Sequence, residues 1–394
     1  MYRRYWFAII SSLSLIAMPI FSCTLPESSG LILYDDFAGS SKRNIKDCHY
    51  NPNDKVLNIT LTGERSDITG NPWYAFKLSA NAPTQLNLAI KVNADGHQYA
   101  PRVSADGLVW RETSHWWVSN VLNFSVSLTQ QLVWISAQEM ITSNDYKIWG
   151  EQLAQNKYVR FSMIGESVQQ RPIYKIEASK RNNNDWLVII GRQHPPELTG
   201  VLAMVPFVST ILSNSPLANQ FRQRYNVIVL PNVNPDGVDL GYWRLNANLV
   251  DLDRDWQQQS QPEVQSISQY LKRLARKGAR FTLAIDFHAA NKHRIKIMPG
   301  INKEQPSKMI TRWLSDLDQL HPNFPLPTQK AQQVPGSFMT YFARQFDSQA
   351  VSVDLANNGN RKFIKTLAVD AANSMMRSML QQPKQPRYIR YDAN

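Results

Sequence analysis

Four short apolar runs in the second half of the chain constrain its fold more than any other feature. They are Trp186 to Ile190, Tyr225 to Leu230, Phe281 to Ile285 and Ala350 to Val353. They are not divided cleanly into an apolar and a polar face, as expected of strands covered on both sides of a sheet. Helical patterns separate or follow them: Pro196 to Leu212, with Pro206 a kink point, Val264 to Lys277, and about Arg361 to Leu380. Strands alternating with helices predict an α/β domain with a mixed, mainly parallel sheet and helices on both faces. We assign it residues 157–382, with a polar tail at 383–394.

The first half reads differently. Leu57, Ile59 and Leu61 alternate with polar residues, as do Leu86, Leu88, Ile90 and Val92, and Gln131 to Ser136 is a further apolar run. Asp95-Gly96 and Asp106-Gly107 are turn signals. This pattern predicts an antiparallel β-sandwich over residues 23–156. Its histidines, His49, His97 and His115, are scattered and form no cluster.

In an open α/β sheet, sites gather beyond the carboxyl ends of the strands. The first run is followed by Arg192-Gln193-His194-Pro195-Pro196-Glu197, and the second by Asn232-Val233-Asn234-Pro235-Asp236-Gly237. The third ends in Asp286-Phe287-His288 and the fourth in Asp354. Two histidines and a glutamate are a zinc donor set that leaves a coordination position for water. The chain has only two cysteines, Cys23 and Cys48, so a thiolate-rich zinc site is excluded. His194, Glu197 and His288 are the candidate metal ligands.

The N-terminus reads as an export signal over residues 1–22, with Arg3 and Arg4 before an apolar stretch. An uncleaved anchor is the alternative. Ile20-Phe21-Ser22-Cys23 resembles a bacterial lipobox, so a lipidated Cys23 attaching the chain to a membrane stands beside simple cleavage. In either case Cys48 is left without an intrachain partner. The formal charge of +12 suits anionic envelope polymers or substrates. Nucleic acid is not expected, because no basic run is interleaved with aromatics.

The second half resembles the M14 zinc carboxypeptidases. The resemblance rests on residues 192–197, Asn234-Pro235-Asp236-Gly237, Arg244-x-Asn246, Asp251-Leu252-Asp253-Arg254-Asp255-Trp256 and Asp286-Phe287-His288, in order over about residues 160–380. The first half, with Pro72-Trp73-Tyr74-Ala75-Phe76 and Asp106 to Trp110, resembles the N-terminal domain of the cytosolic-carboxypeptidase-like branch. The resemblance implies zinc at His194, Glu197 and His288, with Asp251 orienting the first histidine. It implies that Arg244 steadies the oxyanion, and that Asn246, Asp253 and Arg254 stand at the substrate-binding positions. Solvated or surface roles for Asp251 and Arg244, and an ion pair of Arg254 with Asp251 or Asp255, are the alternatives.

Two positions depart from the family pattern. Asp354 stands where the family has its catalytic glutamate and reaches about one methylene less. Asp253 replaces an asparagine, so it either pairs with Arg254 or favours a substrate carrying an amine. The expected function is a zinc metallopeptidase or amidase acting on a peptide or muropeptide in the periplasm or at the outer membrane of a bacterium. The alternative is a catalytically impaired lipoprotein that binds peptide or peptidoglycan.

Overall fold

The computed structural model describes residues 23, 25–65, 67, 73–92, 99–180, 183–300, 303–324 and 326–383. The export signal, the lipobox residues before Cys23, Pro72, the Asp95-Gly96 turn and the tail beyond 383 lie outside them. Among the described residues, no single helix is long and apolar enough to cross a membrane.

The first half forms two five-stranded sheets. One is ordered β1-β4-β10-β6-β7, built from Leu31–Tyr34 (β1), Ala75–Ala80 (β4), Val133–Ser136 (β10), Arg102–Ser104 (β6) and Arg111–Glu112 (β7). The other is ordered β2-β3-β5-β9-β8, from Ile45–Asn51 (β2), Val56–Leu61 (β3), Thr84–Val92 (β5), Val121–Leu128 (β9) and His115–Val118 (β8). The alternating residues Leu57, Ile59, Leu61, Leu86, Leu88 and Ile90 meet Phe76, Leu78 and Ile135 of the opposite sheet in one core. One pair departs from the antiparallel expectation, because β3 and β5 run parallel. The chain crosses to the other sheet for β4 between them, so it returns in its original direction.

Cys23 and Cys48 form a disulfide. This corrects the expectation that Cys48 stands alone. A sulfur in a disulfide cannot also carry a thioether-linked lipid, so the paired form is not the lipidated one.

The second half is an eight-stranded mixed sheet ordered β11-β12-β14-β13-β15-β18-β16-β17. The strands are Val159–Glu166 (β11), Pro172–Ala178 (β12), Asp185–Gly191 (β13), Tyr225–Leu230 (β14), Arg280–Ala290 (β15), Arg294–Met298 (β16), Thr328–Lys330 (β17) and Gln349–Ala356 (β18). The four expected strands, β14, β13, β15 and β18, are its parallel centre. Alternate residues of β13 enter different cores. Leu187 and Ile189 pack beneath helices Ser143–Leu153 (α1), Leu198–Ile211 (α2), Pro216–Arg224 (α3), Lys308–Leu320 (α6) and Arg361–Leu380 (α8). Trp186, Val188 and Ile190 pack beneath Pro262–Arg276 (α5) and Phe338–Phe346 (α7). A short helix, Pro235–Leu240 (α4), follows β14.

Helix α1 shifts the expected division at 156/157. Tyr146 lies in the core shared with Val159 and Ile176, so this helix packs with the α/β body. A capping box of Thr142 and Asp145 fixes its start. Leu198, the first residue of α2, instead joins the core of the sandwich. The two halves therefore share packing directly beside the candidate ligands.

Candidate metal centre

His194 and Glu197 occupy the turn between β13 and α2, and His288 lies near the end of β15. The turn begins at Arg192, which takes a left-handed φ of 57°. Such a conformation costs a non-glycine residue about 1 kcal/mol or more and persists only when its surroundings fix it. Here the guanidinium does so, bonding Pro195 O, Tyr146 Oη and Ile141 O. Gly200 lets α2 approach β15, since a Cβ there would press on the His288 backbone at 2.9–3.1 Å.

The three side chains converge. His194 Nδ1 lies 2.9 Å from Glu197 Oε1, and His288 Nδ1 lies 2.8 Å from Glu197 Oε2. Their candidate donor atoms all fall within 4.8 Å of one another. The outward nitrogens are equally committed. His194 Nε2 meets Asp251 Oδ1 at 3.1 Å, and His288 Nε2 meets Asp286 Oδ2 at 2.8 Å. A carboxylate behind each imidazole fixes the tautomer that leaves Nδ1 unprotonated for a metal. The donor types and their convergence fit zinc. Asp253, Asp286 and His288 form a second close cluster. It shares His288, and Asp286 already receives Gln193 Nε2 at 2.8 Å, so we read it as the support of the first centre.

Electrostatics reinforce the arrangement. Burial disfavours charge on His194, but Glu197 and Asp251 outweigh it and raise the imidazole to about 9. Burial likewise opposes charge on Glu197 and Asp251, yet the imidazoles hold both well below the usual carboxylate range. His288 is raised in the same way by Asp286 and Glu197, against its burial. The cluster keeps its negative charge and favours a cation.

Asp354 lies across the sheet from this centre. In register, His288, Asp354 and Arg294 form one row over β15, β18 and β16; Asp286, Ser352 and Lys296 form the row behind. Asp354 is buried. Its Oδ1 accepts Ser352 Oγ at 2.5 Å and its Oδ2 meets Lys296 Nζ at 2.6 Å, with Arg294 Nε at 3.7 Å. A cleft of about 540 Å³ joins His194, Glu197, His288, Arg244, Asp253, Arg254 and Asp354. A second lobe of about 560 Å³ opens past His194 and Glu197 toward Tyr99 and Trp243.

The structure thus brings together every candidate site residue except Asn246 along or directly behind one cleft. Arg244 lines it, held through Nε to Asp251 Oδ2 at 2.8 Å. Arg254 pairs with Asp253 at 2.5 Å, rather than with Asp251 or Asp255. Asp255 instead accepts from Ser260 and the Gln261 backbone. Asp253 also accepts from Phe338 N and Gln193 Nε2. Its carboxylate is therefore already occupied, which removes the basis for expecting it to face a substrate amine alone.

Asn246 departs from its expected role. It is fully buried, donates to Gln261 Oε1 and Glu263, and accepts from the Asn248 and Val250 backbone. A side chain engaged on every side cannot contact substrate, so Asn246 shapes the loop that carries Arg244. Sequence reasoning missed Asp286 as the support of His288, although a two-residue spacing on one strand puts both on one face. It also missed Gln193, which ties Asp286 to Trp256 Nε1 at 2.7 Å. Lys296 and Arg294 went unnoticed because β16 was not recognised.

Fold and site together are those of a zinc-carboxypeptidase-like α/β protein behind a β-sandwich. The model of the Zinc carboxypeptidase family, Peptidase_M14, matches residues 147–316. Uncharacterized protein ZMO1242 of Zymomonas mobilis is 23% identical over 266 residues, covering 64% of this chain and 68% of that protein. Cytosolic carboxypeptidase 2 of Macaca fascicularis is 34% identical over 119 residues, which are 29% of this chain but only 14% of that relative. The solved metallo-carboxypeptidase of Burkholderia cenocepacia shares the fold with a TM-score of 0.74 at 15% identity, over 89% of this chain and 99% of its own. The chain is an M14 zinc-carboxypeptidase-like protein.

Proposed function

We propose that this protein is a zinc-dependent peptidase or amidase that hydrolyses a peptide, including muropeptides, in the bacterial envelope. The observation that carries the reading is the pair of imidazoles sharing Glu197, each backed by its own carboxylate. Zinc held by His194, Glu197 and His288 would supply a water of lowered pKa and a contact polarising the scissile carbonyl. Arg244, fixed beside the centre by Asp251, is suited to steady the oxyanion. Asp354 is the carboxylate available to take the proton of the attacking water. Envelope location is supported by the Cys23–Cys48 bond, because disulfides persist in oxidising compartments.

A second reading, peptide or peptidoglycan binding without turnover, is favoured by one observation. The short Asp354 side chain is already engaged by Lys296 and Ser352. Mass spectrometry of a mixed peptide and muropeptide pool treated with the zinc-loaded protein separates the two. Cleavage lost in His194→Ala supports hydrolysis. Intact substrates that are nonetheless retained by the folded, zinc-loaded protein support the binding reading.

A further inference from the structure

The loop bearing Arg244 is held largely by the other domain. Glu64, from the sandwich, directs one carboxylate oxygen, Oε1, at three successive backbone N–H groups: Trp243 at 2.7 Å, Arg244 at 2.6 Å and Leu245 at 3.3 Å. Consecutive N–H groups converging on one anion form a strong catch, because charge-assisted hydrogen bonds are roughly twice as strong as neutral ones. Neighbouring contacts fasten the same segment. Gly39 N donates to Asp239 O at 2.8 Å, Asn44 Nδ2 to Gly241 O, and Arg65 Nη1 to Leu249 O at 2.7 Å. Gly241, at φ 66°, lies so close to the Ser40 carbonyl that a Cβ could not be accommodated.

From this loop the connection runs straight to the metal centre. Arg244 Nε bonds Asp251, and Asp251 bonds His194. The sandwich therefore reaches the first candidate ligand through four residues: Glu64, Arg244, Asp251 and His194.

We infer that Glu64 is a positioning residue for the reaction, setting the place of the Arg244 guanidinium and making the β-sandwich part of the machinery. The inference rests on the proposed role of Arg244 at the oxyanion. Glu64 touches no reacting atom. It acts by removing the freedom of the 243–245 backbone, so its effect belongs to the transition state and not to ground-state binding.

The test combines activity with a readout that does not need it. In the zinc-loaded full chain, Glu64→Ala is expected to lower kcat by about 10- to 100-fold, the usual cost of about 1 Å of misplacement, with KM and zinc content unchanged. Glu64→Gln keeps a carbonyl acceptor and restores most of the rate. Added to Arg244→Ala, Glu64→Ala lowers kcat no further. Independently, amide hydrogen exchange over residues 243–245 speeds up by about tenfold or more in Glu64→Ala, since its donors lose their acceptor. If Glu64→Ala does not fold, Glu64→Asp withdraws the carboxylate by one methylene and gives the same pattern with smaller amplitude. Unchanged exchange at 243–245 overturns the inference, as does an equal loss of kcat with and without Arg244. An inactive wild type would sink the proposed hydrolysis while leaving hydrogen exchange to decide the role of Glu64.

Discussion

Replacing Asp286 by asparagine tests whether the carboxylates behind the histidines tune metal binding. Asp286 is 1% exposed and accepts from His288 Nε2 and Gln193 Nε2, both at 2.8 Å. Asparagine preserves volume and one acceptor but removes the charge that makes His288 a better ligand. Loss of such a partner costs about 10- to 100-fold in metal affinity, or about 1.4–2.7 kcal/mol. Burial decides which end applies. No water reaches this site to replace the lost charge, and among the described residues Asp286 Oδ1 has no hydrogen-bond partner. An asparagine NH₂ there would be an unsatisfied donor, itself worth about 1–3 kcal/mol. We therefore expect a loss near a hundredfold for Asp286→Asn. Asp251 is more exposed, so Asp251→Asn should cost nearer tenfold by the same reasoning. It also frees Arg244, so kcat at saturating zinc should fall in Asp251→Asn and far less in Asp286→Asn. Competition against a fluorescent zinc chelator gives the affinities, and initial rates give kcat. Asp286→Asn with wild-type zinc affinity, or equal kcat losses in both variants, would refute the argument.

Asp354→Asn should lower kcat by about a hundredfold or more while zinc content stays constant; an unchanged rate would assign the proton transfer elsewhere. Glu263 is pushed by burial, with Asp236 adding to the effect, from 4.5 up to about 7. A carboxyl raised in the folded state is a source of stability lost as pH climbs from about 4.5 through 7, up to about 3 kcal/mol. Glu263→Gln should therefore exceed wild type in urea melts at pH 8 and match it near pH 4, and parallel profiles would contradict this. The disulfide closes a sequence separation of 25 residues, so Cys48→Ser should lose about 3 kcal/mol of stability. Reductant should destabilise wild type by the same amount and leave the variant unaffected.

The sequence made the parallel centre legible because buried strands leave long apolar runs, and β13, β14, β15 and β18 all do. The ligands were legible for a related reason: each follows such a run. Short edge elements left weaker traces. Strand β17 is wholly exposed, and β16 alternates Arg294, Ile295, Lys296 and Ile297, a pattern that fits many surface segments. Without β16, the cations beside Asp354 could not be anticipated. Nor could Asn246, whose role depends on Gln261 and Glu263 returning from a later helix. Glu64 is the extreme case, separated from Arg244 by 180 residues and joined to it through backbone donors that no side-chain pattern encodes.

The catch between the sandwich and residues 239–249 leaves the cleft with one stiff wall and one adaptable wall. The opposite side is built from the exposed β17 and residues 331–339, which are free of that anchorage. Diversity in what such a scaffold accepts should therefore accumulate around β17 while the Arg244 side stays constant. A library meant to redirect specificity would vary residues 329–334 first. A swap of the Arg244 loop would have to carry Glu64, Asn44 and the Gly39–Ser40 turn with it as one cassette.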